Sequence, residues 1–228
     1  MLIQAEACIG CDVCLKACKD EFVGNDYIPY SAAQPNTSYG YGPNQTFGWP
    51  NTPSQASLWF TPGQNWLEMS EETSGAFPNV KVRYIAQPCM QCDVAPCIAA
   101  SEPSGCNGAD PDLQAQCMQS SVYMRPDGIV LIDPEQSVNQ STLPSSCPYG
   151  RIYWNAEKAL PQKCTFCAHL IDQGLNPRCV DACPVSAIIF GDLDDPSSNI
   201  SNQIQSLNAQ PLHPEYGTMP KVFYSGLV

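Results

Sequence analysis

Residues 8–18 read CIGCDVCLKAC, and residues 163–184 read KCTFCAHLIDQGLNPRCVDACP. In the first stretch Cys8, Cys11, Cys14 and Cys18 follow the spacing C-x2-C-x2-C-x3-C. Three thiolates so spaced grip one iron–sulfur cubane, and the fourth is directed toward a second cluster. A run of this kind needs a partner elsewhere in the chain. Cys164, Cys167, Cys179 and Cys183, the last followed by Pro184, supply it. The expected pairing follows the same crossing pattern. Cys8, Cys11 and Cys14 are completed by Cys183, while Cys164, Cys167 and Cys179 are completed by Cys18. The crossing ligands tie the first and last parts of the chain together.

Working inward, PCMQCDVAPC at 88–97 contributes Cys89, Cys92 and Cys97, spaced C-x2-C-x4-C. A fourth ligand at the usual interval falls at position 101, which is Ser101. The remaining isolated candidate is Cys147, in CPYG at 147–150. Cys89, Cys92, Cys97 and Cys147 are therefore expected to hold a third cubane. A fourth site would need a cysteine at 101 and three more shortly before Cys147, and all four are missing together. The expectation is three [4Fe–4S] clusters.

Zinc sites and disulfide scaffolds are the rival readings of a cysteine-rich chain. Structural zinc takes two C-x2-C pairs or adds histidine, and only His169 and His213 are present. A triple run whose fourth cysteine follows after three residues crowds a single tetrahedral ion. Two of the fourteen cysteines, Cys106 and Cys117, are left over in a polar insertion. Free thiols and a spare ligand for the middle cluster are both open to them. A local disulfide between Cys106 and Cys117 is preferred, which favours an oxidising compartment.

Ten Lys and Arg stand against 22 Asp and Glu, a formal net charge of −12. Bound cubanes add to the negative charge. Nucleic-acid binding depends on basic side chains neutralising phosphate, and anionic lipid repels such a surface, so neither is an expected partner. No stretch approaches the roughly 20 apolar residues of a membrane span. Only seven residues precede Cys8, too few for a signal peptide. Clusters are inserted in the cytoplasm, so an exported chain would travel folded with a partner bearing a twin-arginine signal. That location is favoured slightly over the cytoplasm.

The expected class is α+β, loop-rich, with ferredoxin-like cluster-binding modules in two pseudo-symmetric halves and long insertions. Residues 1–30 with 156–200 form the two-cluster module and 80–155 the one-cluster module. CLKACKDEF at 14–22 predicts a short helix. VKVRYIA at 80–86, GIVLID at 128–133, RIYW at 151–154 and SAIIF at 186–190 predict strands. Residues 31–79 carry six Pro and five Gly, which makes regular structure there unexpected. Their aromatic content, Tyr39, Tyr41, Phe47, Trp49, Trp59, Phe60, Trp66 and Phe77, is foreign to disordered linkers. An ordered insertion wrapping its own body or a partner is expected. Residues 201–228 read as a surface tail. No catalytic constellation, Walker loop or dinucleotide fingerprint stands out. His169 reads as a buried or hydrogen-bonding residue rather than a ligand, and Lys163 as an offset to cluster charge.

The segments AEACIGCDVCLKACKDE at 5–21, PCMQCDVAPC at 88–97, CPYG at 147–150 and KCTFCAHLIDQGLNPRCVDACP at 163–184 resemble the iron–sulfur electron-transfer subunits of dimethyl sulfoxide reductase-type molybdenum enzymes. GDLDDP at 191–196 and GTMPKVFY at 217–224 also resemble such subunits. DGIVLIDPE at 127–135 and CPYGRIYWN at 147–155 are similar to the transhydroxylase and catechol dehydroxylase group within that family. The resemblance implies a large catalytic partner carrying molybdenum or tungsten on a bis-pterin cofactor. It implies a phenolic or catechol substrate for that partner, with this chain passing electrons. A small chain serving an inorganic-oxyanion or sulfur-compound reductase, and a free-standing ferredoxin carrier, are the alternatives.

Overall fold

The computed structural model describes residues 1–23, 66–101, 120–155 and 158–227. Its centre is a four-stranded sheet assembled from both ends of the chain. Strand β1 (Leu2–Gln4) pairs in parallel with β10 (Phe223–Ser225), with Leu2 opposite Phe223 and Gln4 opposite Ser225. β8 (Ile188–Ile189) adds antiparallel to β1, and β9 (Gln210–Pro211) antiparallel to β10, giving the order β8-β1-β10-β9. The strands are short but apolar where they face inward. Leu2, Ile3, Val222 and Tyr224 are all fully buried.

Helix α1 (Val13–Val23) starts inside the first cysteine run and carries Cys14 and Cys18 inward, four positions and about one turn apart. It lies against the short helix α4 (Arg178–Asp181), which carries Cys179. β2 (Glu68–Ser74) and β3 (Lys81–Gln87) form a seven-pair antiparallel hairpin. Its root enters the core through Leu67, Ile85 and Ala86, and its outer half is exposed. Helix α2 (Pro96–Ser101) follows. Two further short antiparallel pairs come next: β4 (Val122–Met124) with β5 (Val130–Ile132), and β6 (Ile152–Asn155) with β7 (Leu160–Lys163). α3 (Ala168–Ile171) precedes α4, and α5 (Asn199–Ser206) starts at Ser198, whose Oγ accepts from Ser201 N at 3.2 Å. The mixture of small sheets and short helices is α+β.

Two expectations need correction. Residues 201–228 are not a surface tail: most of α5 and all of β10 lie within them, and Thr218, Val222, Tyr224 and Ser225 are buried. Polar neighbours mask a three-residue strand whose partner is at the other end of the chain. Residues 31–79 are not free of regular structure, because β2 occupies Glu68–Ser74. EMSEETS has weak strand propensity, and it is held by register with KVRYIAQ, including Glu72 opposite Arg83. The rest of that insertion up to position 65, like Cys106 and Cys117, lies outside the described residues. The expected module boundary at 155/156 falls between the paired strands β6 and β7, so the chain on either side of it is joined by a hairpin.

Candidate metal centres

The main apolar core contains Met1, Ile3, Ile85, Met90, Phe166, Ile188 and Tyr224, and the thiols of Cys14, Cys18, Cys89, Cys92, Cys164 and Cys179 are built into it. A second cluster of Val122, Val130, Leu143 and Ile152 takes Cys97, with Cys147 packed against it. Cysteines are thus part of the interior, packed among the apolar side chains of both clusters. None of the twelve described cysteines is in a disulfide.

Electrostatic neighbourhoods sort these thiols into groups. Cys8, Cys11, Cys14 and Cys183 face one another and line one cavity, walled by Ile3, Ile9, Met69, Val185, Ala187 and Ile188. Cys18 feels Cys164, Cys179 and Cys167 most strongly, and Cys14 acts on both Cys18 and Cys179 as well. Cys92 and Cys97 both face Cys89 and Cys147. The thiols from the two ends of the chain meet because β1 and β8 are adjacent strands. β1 leads into Cys8 and β8 follows Cys183, and Gln4 N donates to Ala187 O at 2.8 Å. The group containing Cys11 reaches the surface, whereas Cys18, Cys164, Cys167 and Cys179 are all buried.

Burial, together with neighbouring thiols, makes ionisation difficult. It pushes Cys14 up to about 11, Cys92 to about 11, Cys97 to about 12 and Cys164 to about 12. Cys18 and Cys179 rise well above the ordinary thiol value for the same reason. Thiols in such surroundings become ligands only when a cation supplies the missing positive charge, and metal binding then releases their protons. The residues fit an iron–sulfur core: soft donors, an apolar wall and a lined cavity. A tetrahedral zinc draws its sulfurs to within about 3.8 Å of each other, from a Zn–S length near 2.3 Å. A cubane binds one thiolate at each of four irons and spreads its ligands wider. Among the described residues no three or more His, Cys, Asp or Glu side chains are arranged to hold a single metal ion.

The cysteine loops curl around these positions through left-handed backbone. Asp12, Gln91, Phe166 and Cys167 have φ of 58°, 49°, 54° and 52°, a conformation uncommon outside glycine. Amide hydrogens turn toward sulfur in the same loops. Phe166 N donates to Cys164 Sγ at 3.4 Å, Arg151 N to Cys147 Sγ at 3.4 Å, and Ala187 N to Cys183 Sγ at 3.2 Å. Such bonds stabilise added negative charge on the sulfurs and tune cluster potential. Thr218, buried with its hydroxyl 2.7 Å from that of Tyr149, also hydrogen-bonds Cys92.

Gly10 sits at φ 66°, and a Cβ there would lie 2.7 Å from the ring of Tyr84. Gly10→Ala therefore adds about 1–2 kcal/mol of left-handed backbone strain and forces the ring away from the Cys8–Cys11 loop. A lower thermal midpoint with faster iron loss under a chelator is expected. Identical melting and release curves would show that the loop yields freely.

Position 101 is closed to metal. Ser101 Oγ donates to Ile98 O at 2.8 Å, accepts from Val122 N at 3.1 Å and contacts Ser120 Oγ. The hydroxyl is spent inside the α2–β4 contact. His169 is buried and within 2.7 Å of Glu21, whose other oxygen accepts from Arg178 Nε at 2.6 Å. Burial opposes ionisation of Glu21, but these two hydrogen bonds outweigh it and hold the carboxyl below its usual range. The three side chains brace α1 against the Cys167–Cys179 region, in keeping with a hydrogen-bonding role for His169. Gln91 was not singled out by sequence. It is fully buried between Cys89 and Cys92 and bridges Cys164 O at 2.9 Å and Val130 N at 2.7 Å.

Comparison with known proteins points to 4Fe-4S chemistry in this chain. Residues 80–193 match the family model described as a 4Fe-4S dicluster domain. The whole chain is 30% identical to the pyrogallol hydroxytransferase small subunit of Pelobacter acidigallici, covering 68% of it. It is 31% identical, again over its whole length, to a subunit of the tetrathionate reductase of Salmonella typhimurium, covering 72% of that protein. Against the arsenate respiratory reductase iron-sulfur subunit of a Shewanella strain, 98% of the chain aligns at 28% identity and covers 94% of the relative. No helix among the described residues is long and apolar enough to cross a membrane.

Proposed function

Because the chain belongs to the 4Fe-4S dicluster family of iron–sulfur subunits, we propose that it is the three-cluster electron-transfer subunit of a molybdenum or tungsten enzyme. The observation that carries this reading is the convergence of Cys8, Cys11 and Cys14 with Cys183, from opposite ends of the chain, on one cavity. Cys8, Cys11, Cys14 and Cys183 hold the first cluster. Cys18, Cys164, Cys167 and Cys179 hold the second, and Cys89, Cys92, Cys97 and Cys147 the third. When bound, a [4Fe–4S] cluster takes up and gives back single electrons. The chain's own residues fix the sulfurs, exclude water with an apolar wall and donate amide hydrogens to the thiolates. The ferredoxin-like division into halves belongs to the same proposal. It is supported by the separate apolar cluster around Cys97 and Cys147.

The partner is proposed to be a large catalytic subunit with a bis-pterin metal cofactor, acting on a phenolic or catechol substrate. Similarity to the pyrogallol hydroxytransferase small subunit supports that class. A second reading, a partner that reduces an inorganic oxyanion or sulfur compound, is favoured by the comparable similarity to the tetrathionate reductase chain. Export alongside the partner is part of the proposal through the Cys106–Cys117 pair.

The test is iron and acid-labile sulfide per chain in anaerobically purified native complex, with molybdenum and tungsten measured in the copurifying subunit. About twelve iron atoms, four per cubane, beside a metal-pterin partner are expected. About eight, two cubanes' worth, would remove the third cluster, and a soluble monomer with full iron and no partner would make the chain a free carrier. Turnover of pyrogallol or catechol, against tetrathionate or arsenate, then separates the two substrate classes.

A further inference from the structure

Lys163 is 3% exposed, at the end of β7 and immediately before Cys164. Buried ammonium groups almost never occur without a counter-charge. Among the described residues no carboxylate pairs with this one. Its Nζ donates instead to Val130 O at 2.5 Å and Cys164 O at 3.2 Å. Those two residues are also the partners of Gln91, whose Nε2 donates to Cys164 O and whose Oε1 accepts from Val130 N. The result is a closed ring of four hydrogen bonds. It joins the Cys89–Cys92 loop, β5 and the start of the Cys164–Cys167 loop.

The ring lies between two thiol groups. On one side Gln91 stands between Cys89 and Cys92, and on the other the Lys163 ammonium is bonded to the carbonyl of Cys164 itself. We infer that Lys163 is a positioning residue whose counter-charge is the pair of clusters on either side of it, and that it raises the potentials of both while Gln91 holds them in fixed register. The inference rests on the reading that these thiols hold clusters. A fixed cation stabilises the electron-rich, reduced form of a neighbouring cluster over the oxidised form. The effect is strong because burial limits screening. The hydrogen bonds of Lys163 run to Val130 O and Cys164 O, and among the described residues none runs to the loop of Cys8, Cys11 and Cys14.

The experiment is a redox titration of the purified native complex followed by EPR, with Lys163→Gln and Lys163→Arg. Lys163→Gln keeps a hydrogen-bond donor and removes the charge. At a fixed ambient potential it is expected to lower the reduced-to-oxidised ratio of two clusters at least tenfold, about 59 mV for a one-electron couple. The third should be unmoved, and Lys163→Arg should stay within about twofold of native, since the guanidinium keeps the charge. Unchanged potentials, an equal shift of all three, or the same shift in both variants would overturn the inference. Should Lys163→Gln lose iron, retention in Lys163→Arg supports the charge as the cause, and loss in both reduces the residue to a packing element. Iron content of the native complex separates this from failure of the cluster reading. About eight iron atoms would sink the third cluster, while about twelve with unmoved potentials would sink only the role of Lys163.

Discussion

Cys147→Ala should leave a folded protein that has lost about four of its roughly twelve iron atoms. Cys147 follows a 3-10 turn at Leu143–Ser146 and precedes β6, and it reaches Cys92 and Cys97 from outside the loop that holds them. Its Sγ accepts from Arg151 N, an amide set by the tight turn at Cys147–Gly150. The central sheet, α1 and α4 make no use of it. Iron loss should therefore be confined to one group, and EPR spin counts should fall by one cluster. Electron flow through the complex should cease if the middle cluster lies on the path. Full iron in the variant would mean that the middle thiols find a fourth ligand elsewhere, and the assignment of Cys147 would fall.

Tyr224→Ala should destabilise the protein by about 3–5 kcal/mol, the range for truncating a large buried aromatic. Tyr224 is 1% exposed in β10 and packs within the core that contains Ile3, Ile85, Met90 and Cys164. Its hydroxyl donates to Ala86 O at 3.1 Å, linking the central sheet to the strand that leads into Cys89. Tyr224→Phe keeps the ring and leaves that carbonyl without its donor, so about 1 kcal/mol is expected. Denaturant unfolding of the iron-loaded complex, with chelator-driven iron release as a second readout, measures both. A Phe variant as damaged as the Ala variant would place the weight on the hydrogen bond rather than on packing.

What the sequence made readable follows from how local each signal is. Cysteine spacing over a single short loop announces its chemistry, because ligands on one loop or one helix turn must meet the same core. The helix through Cys14 and Cys18 and the strand before Cys89 were readable for the same reason. β10 was not: VFYS carries too few residues to show alternation, and its pairing with β1 is between the most distant parts of the chain. β2 was hidden by its acidic composition, since its stability comes from the facing strand. The Gln91–Lys163 ring was invisible because it depends on a left-handed glutamine and on three segments meeting. Lys163 could be read as a charge offset, but neither its burial nor its partners could. Ser101 shows the converse, where a missing cysteine was legible but the hydrogen bonds that occupy its place were not.

The parallel pairing of β1 with β10 has a consequence for biogenesis. β1 is synthesised well before either of its neighbours, β8 and β10. The hydrophobic strand must remain unpaired, and its edges unprotected, until those distant partners are made. High contact order of this kind slows folding, because loop closure has to precede the contacts that reward it. Nascent chains should therefore depend on a holding chaperone, and metal delivery should occur after release rather than during synthesis.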